Sequence, residues 1–135
     1  MAYKIFISHA GSDTWVARQI QNHIKNCGAD AFLDASDIAI GDKFEDEILE
    51  QIKASDELVV LFTPWSIERP YVWLEVGAAW YKNMRIVVVL HGIGVEEIAK
   101  NPKMPVSIKS HDIITVNELD DYFVQLKKRL LSNSK

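Results

Sequence analysis

Three apolar runs constrain the fold of this chain more than any other feature of its sequence. They read YKIFIS at 3–8, ELVVLFT at 57–63 and RIVVVL at 85–90, and each is continuous in its apolar character. A strand that exposes one face to water alternates polar and apolar residues, whereas a strand buried on both faces does not. The runs therefore predict central strands of a parallel sheet that helices cover on both sides.

Amphipathic helical patterns lie between and after these strands, with apolar residues recurring every three or four positions as on one helix face. The apolar positions are Val16, Ile20, Ile24 and Cys27 in the first pattern, Phe44, Ile48 and Ile52 in the second, and Leu119, Phe123, Leu126 and Leu130 in the last. Two weaker strand patterns, DAFLD at 30–34 and DIITV at 112–116, complete the set.

Strands that alternate with helices predict right-handed crossovers and a doubly wound α/β domain. We expect a flavodoxin-like three-layer sandwich whose five-stranded parallel sheet has the strand order 2-1-3-4-5. The chain has 135 residues, a typical size for one domain, and contains no repeat or linker, so 1–135 is predicted to be a single domain. Residues 131–135 are predicted to form a frayed tail.

The net charge and the single cysteine bear on which classes of partner bind the protein and on its cellular compartment. A net charge of −4 argues against a nucleic-acid binder, which normally carries a basic surface. One cysteine, Cys27, allows no internal disulfide, and the N-terminal segment lacks a secretory pattern, so we expect a cytoplasmic protein. No apolar run approaches the roughly 20 residues of a membrane span. The histidines lack metal-ligand spacing, so no metal site is expected.

The ligand site of an open α/β sheet lies beyond the carboxyl ends of the strands, where the strand order reverses. Ser8 and His9 end the first strand at this place. They point to opposite faces, and no acid is placed to orient the imidazole, so a catalytic triad is not favoured. We expect their backbone amides to line the cleft, and Ser12 or Asp13 to cap the first helix.

The segment RPYVWLEVGAAW at 69–80 carries one carboxylate, Glu75, in strongly apolar surroundings. Pro70 suits the first turn of a helix, which puts Glu75 in the second turn. Tyr71 and Glu75 are four residues apart and share a face, so Glu75 is predicted to project toward the cleft. The face predicted to pack on the sheet consists of Val72, Val76 and Ala79.

Most glutamates are solvated, but the aromatic neighbours of Glu75 favour a site for a flat or sugar-bearing ligand. These neighbours are Tyr71, Trp73 and Trp80. Lys43, in an acidic stretch at the rim of the cleft, is a candidate contact for a phosphate, and a surface ion pair is the alternative.

Four segments resemble, in order, the Toll/interleukin-1 receptor (TIR) domain, specifically the bacterial, NAD-consuming members of antiphage defence. They are KIFISHAGSD, FLDASDIAIGDKF, LVVLFTPWSIERPYVWLEVGAAW and RIVVVL, and together they cover almost the whole chain. They resemble the F-[IV]-S-[YH] opening, the BB loop and the W-x-x-x-E helix of that family. Two positions depart from its pattern: Tyr71 stands at the tryptophan, and Ile40-Gly41 at the usual Pro-Gly.

The resemblance implies an NAD+ glycohydrolase or ADP-ribosyl cyclase with Glu75 as its catalytic residue. NAD is then a substrate, and no cofactor is expected. The product is ADP-ribose or a cyclic isomer of it, and the sequence leaves this choice open. Residues expected to contact the substrate are Phe6, Ser8, His9, Asp37, Lys43, Trp65, Ser66 and Tyr71.

The resemblance also implies partners: self-association through contacts between TIR domains, and a separate effector protein that senses the product. Two other functions stay open. One is a non-enzymatic TIR interaction module that binds other TIR domains through its BB loop. The other is an enzyme like the nucleoside ribosyltransferases, which would act on a base other than nicotinamide.

Overall fold

In a computed structural model that describes residues 2–33, 44–103 and 113–133, five parallel strands form one sheet. The strands are β1 (Lys4–Ser8), β2 (Asp30–Leu33), β3 (Glu57–Phe62), β4 (Arg85–Leu90) and β5 (Ile113–Thr115). The helices are α1 (Thr14–Cys27), α2 (Phe44–Lys53), α3 (Pro70–Tyr81), α4 (Val95–Ala99) and α5 (Leu119–Asn133). The strand order is β2-β1-β3-β4-β5 with every neighbouring pair parallel, which confirms the predicted sheet.

Two details differ from the sequence prediction. Helix α4 was not predicted, because its five residues are too few to show a helical period. Helix α5 extends to Asn133 and so includes the first three residues of the predicted frayed tail at 131–135. Within the described residues, no helix combines the length and the apolar character that crossing a bilayer requires.

Alternate residues of each strand point to opposite faces of the sheet, and both faces are buried. One face packs against α1 and α5 through Ile5, Ile7, Val59, Leu61, Val87 and Val89. The other packs against α2, α3 and α4 through Phe6, Leu58, Val60, Phe62, Val88 and Leu90. Burial on both faces explains why the apolar runs are continuous in the sequence.

A buried ion pair joins the sheet to α5 at the amino ends of the strands. Glu57, the first residue of β3, is fully buried, and Arg129 Nη1 lies 2.9 Å from its Oε1. Tyr3 donates a hydrogen bond to the same oxygen at 2.7 Å, and Tyr122 donates one to Oε2. These partners offset the cost of burying a charge, which is several kcal/mol for an isolated ion.

An ammonium group fixes α2 against the end of α3. Lys82, which follows α3, donates from Nζ to the backbone carbonyls of Ile52 at 3.2 Å, Lys53 at 2.5 Å and Ser55 at 2.9 Å. Carbonyls at a helix C-terminus have no partner within the helix and attract cations. The lysine therefore sets the spacing between two helices that pack on the same face of the sheet.

The buried ion pair predicts a loss of stability at alkaline pH. Burial, followed by the hydrogen bond to Glu57, raises the pKa of Tyr3 from 10.0 to about 12. A pKa raised on folding contributes stability that is complete below the unfolded value and is lost as the pH rises through the folded value. The free energy of unfolding should therefore fall between pH 10 and 12.

Denaturant titrations at several pH values between 9 and 12 test this expectation. The fall should be less steep in Tyr3→Phe, which has no phenol to titrate at this position. Tyr81, which is 89% exposed, provides the matched control Tyr81→Phe, with the slope of the wild type. Equal slopes in all three proteins would contradict the assignment.

Removing the Lys82 ammonium should destabilise the fold. Lys82→Met keeps most of the aliphatic chain and removes three charge-assisted hydrogen bonds, so we expect a loss of about 1 to 2 kcal/mol. Lys53→Met is the control, because Lys53 is 72% exposed and its pair with Glu50 is a surface contact worth little. Urea unfolding of both variants measures the difference, and equal stabilities would show that the clamp contributes nothing.

Candidate active site

Helix α3 places Glu75 at the carboxyl end of the sheet. Val72, Val76 and Ala79 are fully buried in the core on the α2 and α3 face, as the sequence predicts. Their contacts with the sheet fix the rotation of the helix about its axis. Glu75, which directly precedes Val76 in the helix, is itself buried, with 1% of its surface exposed.

The hydroxyl of Ser8 donates a hydrogen bond to Glu75 Oε1, and both side chains are buried. Ser8 is the last residue of β1 and lies on the same face as Phe6, the face that α3 covers. The sequence pointed to the backbone amide of Ser8 as part of the cleft. The structure adds its side chain, which contacts the candidate catalytic residue.

His9 follows β1 and contacts helices on both sides of the sheet. Its Nε2 is 3.3 Å from Thr14 Oγ1, at the start of α1 on the opposite side. Its backbone carbonyl accepts a hydrogen bond from the Tyr71 hydroxyl at 3.4 Å. The contacts described here thus join the His9 imidazole to α1 and the His9 main chain to the Glu75 helix.

An apolar groove of about 340 Å³ lies between α2 and α3. Its lining residues are Ile48, Leu49, Ile52, Tyr71, Leu74, Glu75 and Ala78. Glu75 is the one charged residue among these described lining residues. A groove of this kind suits a flat apolar group that carries a positive charge near the carboxylate.

Two loops at the carboxyl ends of the strands are tied together by a buried carboxylate. Thr63, directly after β3, donates from Oγ1 to Asp13 Oδ2 at 2.6 Å, and it accepts from the backbone amide of Ser66 at 3.1 Å. Asp13 occupies the N-cap position of α1 but makes no side-chain cap hydrogen bond. Asp13, one of the two predicted caps, is thus the N-cap residue, but its carboxylate accepts from Thr63 and makes no capping hydrogen bond.

Two of the predicted substrate contacts are buried side chains that pack or hydrogen-bond within the protein. Phe6 is fully buried in the core, and its ring stacks on that of Phe32 with centroids 5.4 Å apart. Ser66 is also buried; its hydroxyl donates to the Leu61 carbonyl at 2.9 Å and accepts from the Thr63 amide at 2.8 Å. Neither residue is among the described residues that line the groove.

The remaining candidate residues are not among the described residues that line the groove. Trp65 is exposed in the loop after β3. Trp73 is buried against Phe62, with centroids 4.6 Å apart, and Trp80 is exposed near the end of α3. Asp37 and Lys43 lie outside the described residues. No group of three potential metal ligands occurs among the side chains that the structure describes.

Sequence reasoning missed most of the groove walls. Leu74 and Ala78 follow Tyr71 by three and seven residues, so the helical period could have placed them on its face. Ile48 and Ile52 were recognised as apolar positions of α2. Their position opposite α3 depends on how the two helices pack, and no local sequence pattern predicts that packing.

Comparison with known proteins relates this chain to one family. The sequence model described as the TIR domain matches residues 5–130. A protein of Brachypodium distachyon named "Probable 2' cyclic ADP-D-ribose synthase BdTIR" is 23% identical over 128 residues, which are 93% of this chain and 55% of that protein. The chain therefore spans about half the length of this relative.

Solved structures share the fold at low sequence identity. The TIR domain of the Toll-related receptor TRR-2 from Hydra magnipapillata has a TM-score of 0.69 and 16% identity, with 98% of each chain covered. The CMP N-glycosidase BcmB of Clostridium botulinum has a TM-score of 0.58 and 15% identity, covering 91% of this chain and 97% of that one. The match to the TIR family model over nearly the full length, on a sheet of this order, shows that the chain belongs to the TIR domain family.

Proposed function

We infer that this TIR domain breaks the bond between nicotinamide and ribose in NAD+. The observation that carries the proposal is Glu75, a buried carboxylate that accepts a hydrogen bond from the Ser8 hydroxyl and borders an apolar groove between α2 and α3. The contact with Ser8 puts Glu75 near the carboxyl end of β1, and ligands of open α/β sheets bind at the carboxyl ends of the strands. The Brachypodium relative, by its name, makes a cyclic ADP-ribose, which supports the same chemistry.

One carboxylate is enough for this reaction. When the bond between the ribose carbon and the pyridinium nitrogen breaks, the bonding electrons neutralise the nitrogen, so nicotinamide leaves without needing a proton. The remaining demand is to stabilise the positive charge that develops on the ribose, which resembles an oxocarbenium ion. A preorganised carboxylate in a groove of low polarity supplies that stabilisation. Glu75 can also accept hydrogen bonds from the ribose hydroxyls.

The groove walls suit the nicotinamide end of the substrate. Tyr71 presents an aromatic ring beside Glu75, and apolar side chains of α2 face it across the groove. The volume of about 340 Å³ lies at the lower end of the range for small-molecule sites, large enough for a pyridine ring with part of a ribose. The adenosine half would then lie outside the groove.

The attacking group determines the product. Water yields ADP-ribose and releases one proton, whereas a nucleophile from the adenosine half closes a cyclic isomer. We propose that such a product serves as a cytoplasmic signal in antiphage defence and is sensed by a separate effector protein. This biological role derives from the resemblance to the bacterial members of the family.

A pyrimidine nucleotide is the second candidate substrate, because a CMP N-glycosidase shares this fold. Cytosine leaves as an anion unless an acid protonates it, so that reaction normally needs a proton donor in addition to the stabilising carboxylate. Among the described residues that line the groove, Glu75 is the one carboxylate. The arrangement therefore favours a leaving group that is already cationic, as nicotinamide is in NAD+.

Replacing Glu75 should abolish turnover and leave the fold intact. Losing one preorganised electrostatic group typically costs 10² to 10³ in rate. Glu75→Gln keeps the shape and can still accept the Ser8 hydrogen bond, so its free energy of unfolding should stay within about 1 kcal/mol of the wild type. Chromatography of NAD and of CMP incubated with each protein, beside thermal unfolding, measures both quantities.

Glu50→Gln is the matched control for this experiment, because Glu50 is an exposed carboxylate on α2. It should retain the wild-type rate. Full NAD turnover by Glu75→Gln would remove Glu75 from the reaction. Turnover of CMP alone would select the second candidate, and turnover of neither substrate by the wild type would favour the non-enzymatic interaction module.

Self-association should raise the activity. The groove has apolar edges, with Leu49 and Leu74 exposed, and Leu74 has 62% of its surface in water. We propose that a second TIR domain covers these edges and excludes water from the reaction, as the resemblance to NAD-consuming members implies. Specific activity should then rise with protein concentration over a hundredfold range, and a constant specific activity would contradict this.

A further inference from the structure

The hydrogen bond between Ser8 and Glu75 joins two elements that are 67 residues apart in the chain. We propose that Ser8 is a positioning residue, whose hydroxyl fixes the orientation of the Glu75 carboxylate and keeps it ionised. The bond itself is independent of the substrate. Its consequence for turnover rests on the proposed function.

The surroundings of both residues restrict the carboxylate to one orientation. Ser8 is the last residue of β1, a central strand of the sheet, and it pairs with Val60 of β3, so its backbone is held in the sheet. Glu75 extends from α3, whose rotation is fixed by its buried stripe. A hydroxyl fixed on the sheet therefore selects one rotamer of a side chain that would otherwise have several.

The apolar lining of the groove disfavours a charged carboxylate beside it. Burial among apolar side chains raises the pKa of a carboxyl group, because the charged form loses its hydration. Tyr71 is the one other titratable group among the described lining residues. Beyond the lining, His9 follows Ser8 in the chain, and its imidazole is also close to Thr14 at the start of α1. A hydroxyl that donates to the carboxylate favours the charged form.

Ser8 could also be read as a nucleophile with Glu75 as its base, because that pair has the same hydrogen bond. The structure argues against this. Ser8 is fully buried and is not among the described residues that line the groove, whereas Glu75 is. Of the two residues, Glu75 is therefore the one that borders the groove.

The test is a direct titration of the Glu75 carboxyl by carbon-13 NMR, in protein labelled at the glutamate side-chain carboxyls. The Glu75 signal is assigned by its absence from Glu75→Gln. The pKa of Glu75 should rise by roughly one to two units in Ser8→Ala, the range that corresponds to one hydrogen bond to an ionised group. An unchanged pKa would overturn the proposal, whatever the enzymatic activity.

Two further variants serve as a control and as a substitute in this measurement. Ser55→Ala is the matched control, since Ser55 is a buried serine that donates to the backbone carbonyl of Gln51 at 2.6 Å, and its loss should leave the Glu75 titration unchanged. If Ser8→Ala does not fold, Ser8→Cys keeps the size and offers a weaker donor. It should raise the pKa of Glu75 by a smaller amount, and no rise would overturn the proposal.

The pH profile of NAD turnover separates positioning from nucleophilic catalysis. In Ser8→Ala the acid limb should move to higher pH by the same amount as the titration, and the plateau above it should stay within roughly tenfold of the wild type. A plateau lowered by 10⁴ or more without a shift of the limb would make Ser8 the nucleophile and overturn positioning. If the wild type turns over no NAD, the proposed function fails, and the titration still decides the role of Ser8.

Discussion

The packing of α3 on the sheet is the contact on which the candidate site depends. Val72, Val76 and Ala79 are fully buried, and they fix the helix both in position and in rotation. Glu75 then faces the end of β1, where Ser8 meets it. A rotation of the helix by one residue, about 100°, would carry the carboxylate away from this serine. The same apolar stripe that stabilises the core thus determines which polar group reaches the groove.

Two buried glutamates lie near opposite ends of this sheet, and the contacts described for them differ. Glu57 has Arg129 beside it and two tyrosine hydroxyls on its oxygens. The hydrogen bond described for Glu75 comes from the neutral hydroxyl of Ser8. The positive charge of Arg129 reduces the attraction of Glu57 for any other cation, which suits Glu57 for a structural role.

The sequence predicted the fold well, because the features that decide it are local. Continuous apolar runs report strands with two buried faces, and the stripe of α3 follows from its helical period. The contacts of the site are not local: Ser8 and Glu75 are 67 residues apart, and Asp13 and Thr63 are 50 apart. Asp13 was expected to cap α1 on local grounds, but a distant threonine holds its carboxylate. Whether a side chain caps its own helix or binds a distant residue depends on how the helices and strands pack against each other.

The Glu57 ion pair and the Glu75 site lie at opposite ends of the sheet. Glu57 is level with Ile5 on β1, so three strand residues, roughly 10 Å, separate that level from Ser8. Energetic effects at sites this far apart and without shared partners add nearly independently. A substitution that removes the carboxylate beside the groove should therefore leave the Glu57 ion pair and its contribution to folding in place. The candidate site and the contact that joins the sheet to α5 can thus change independently of each other.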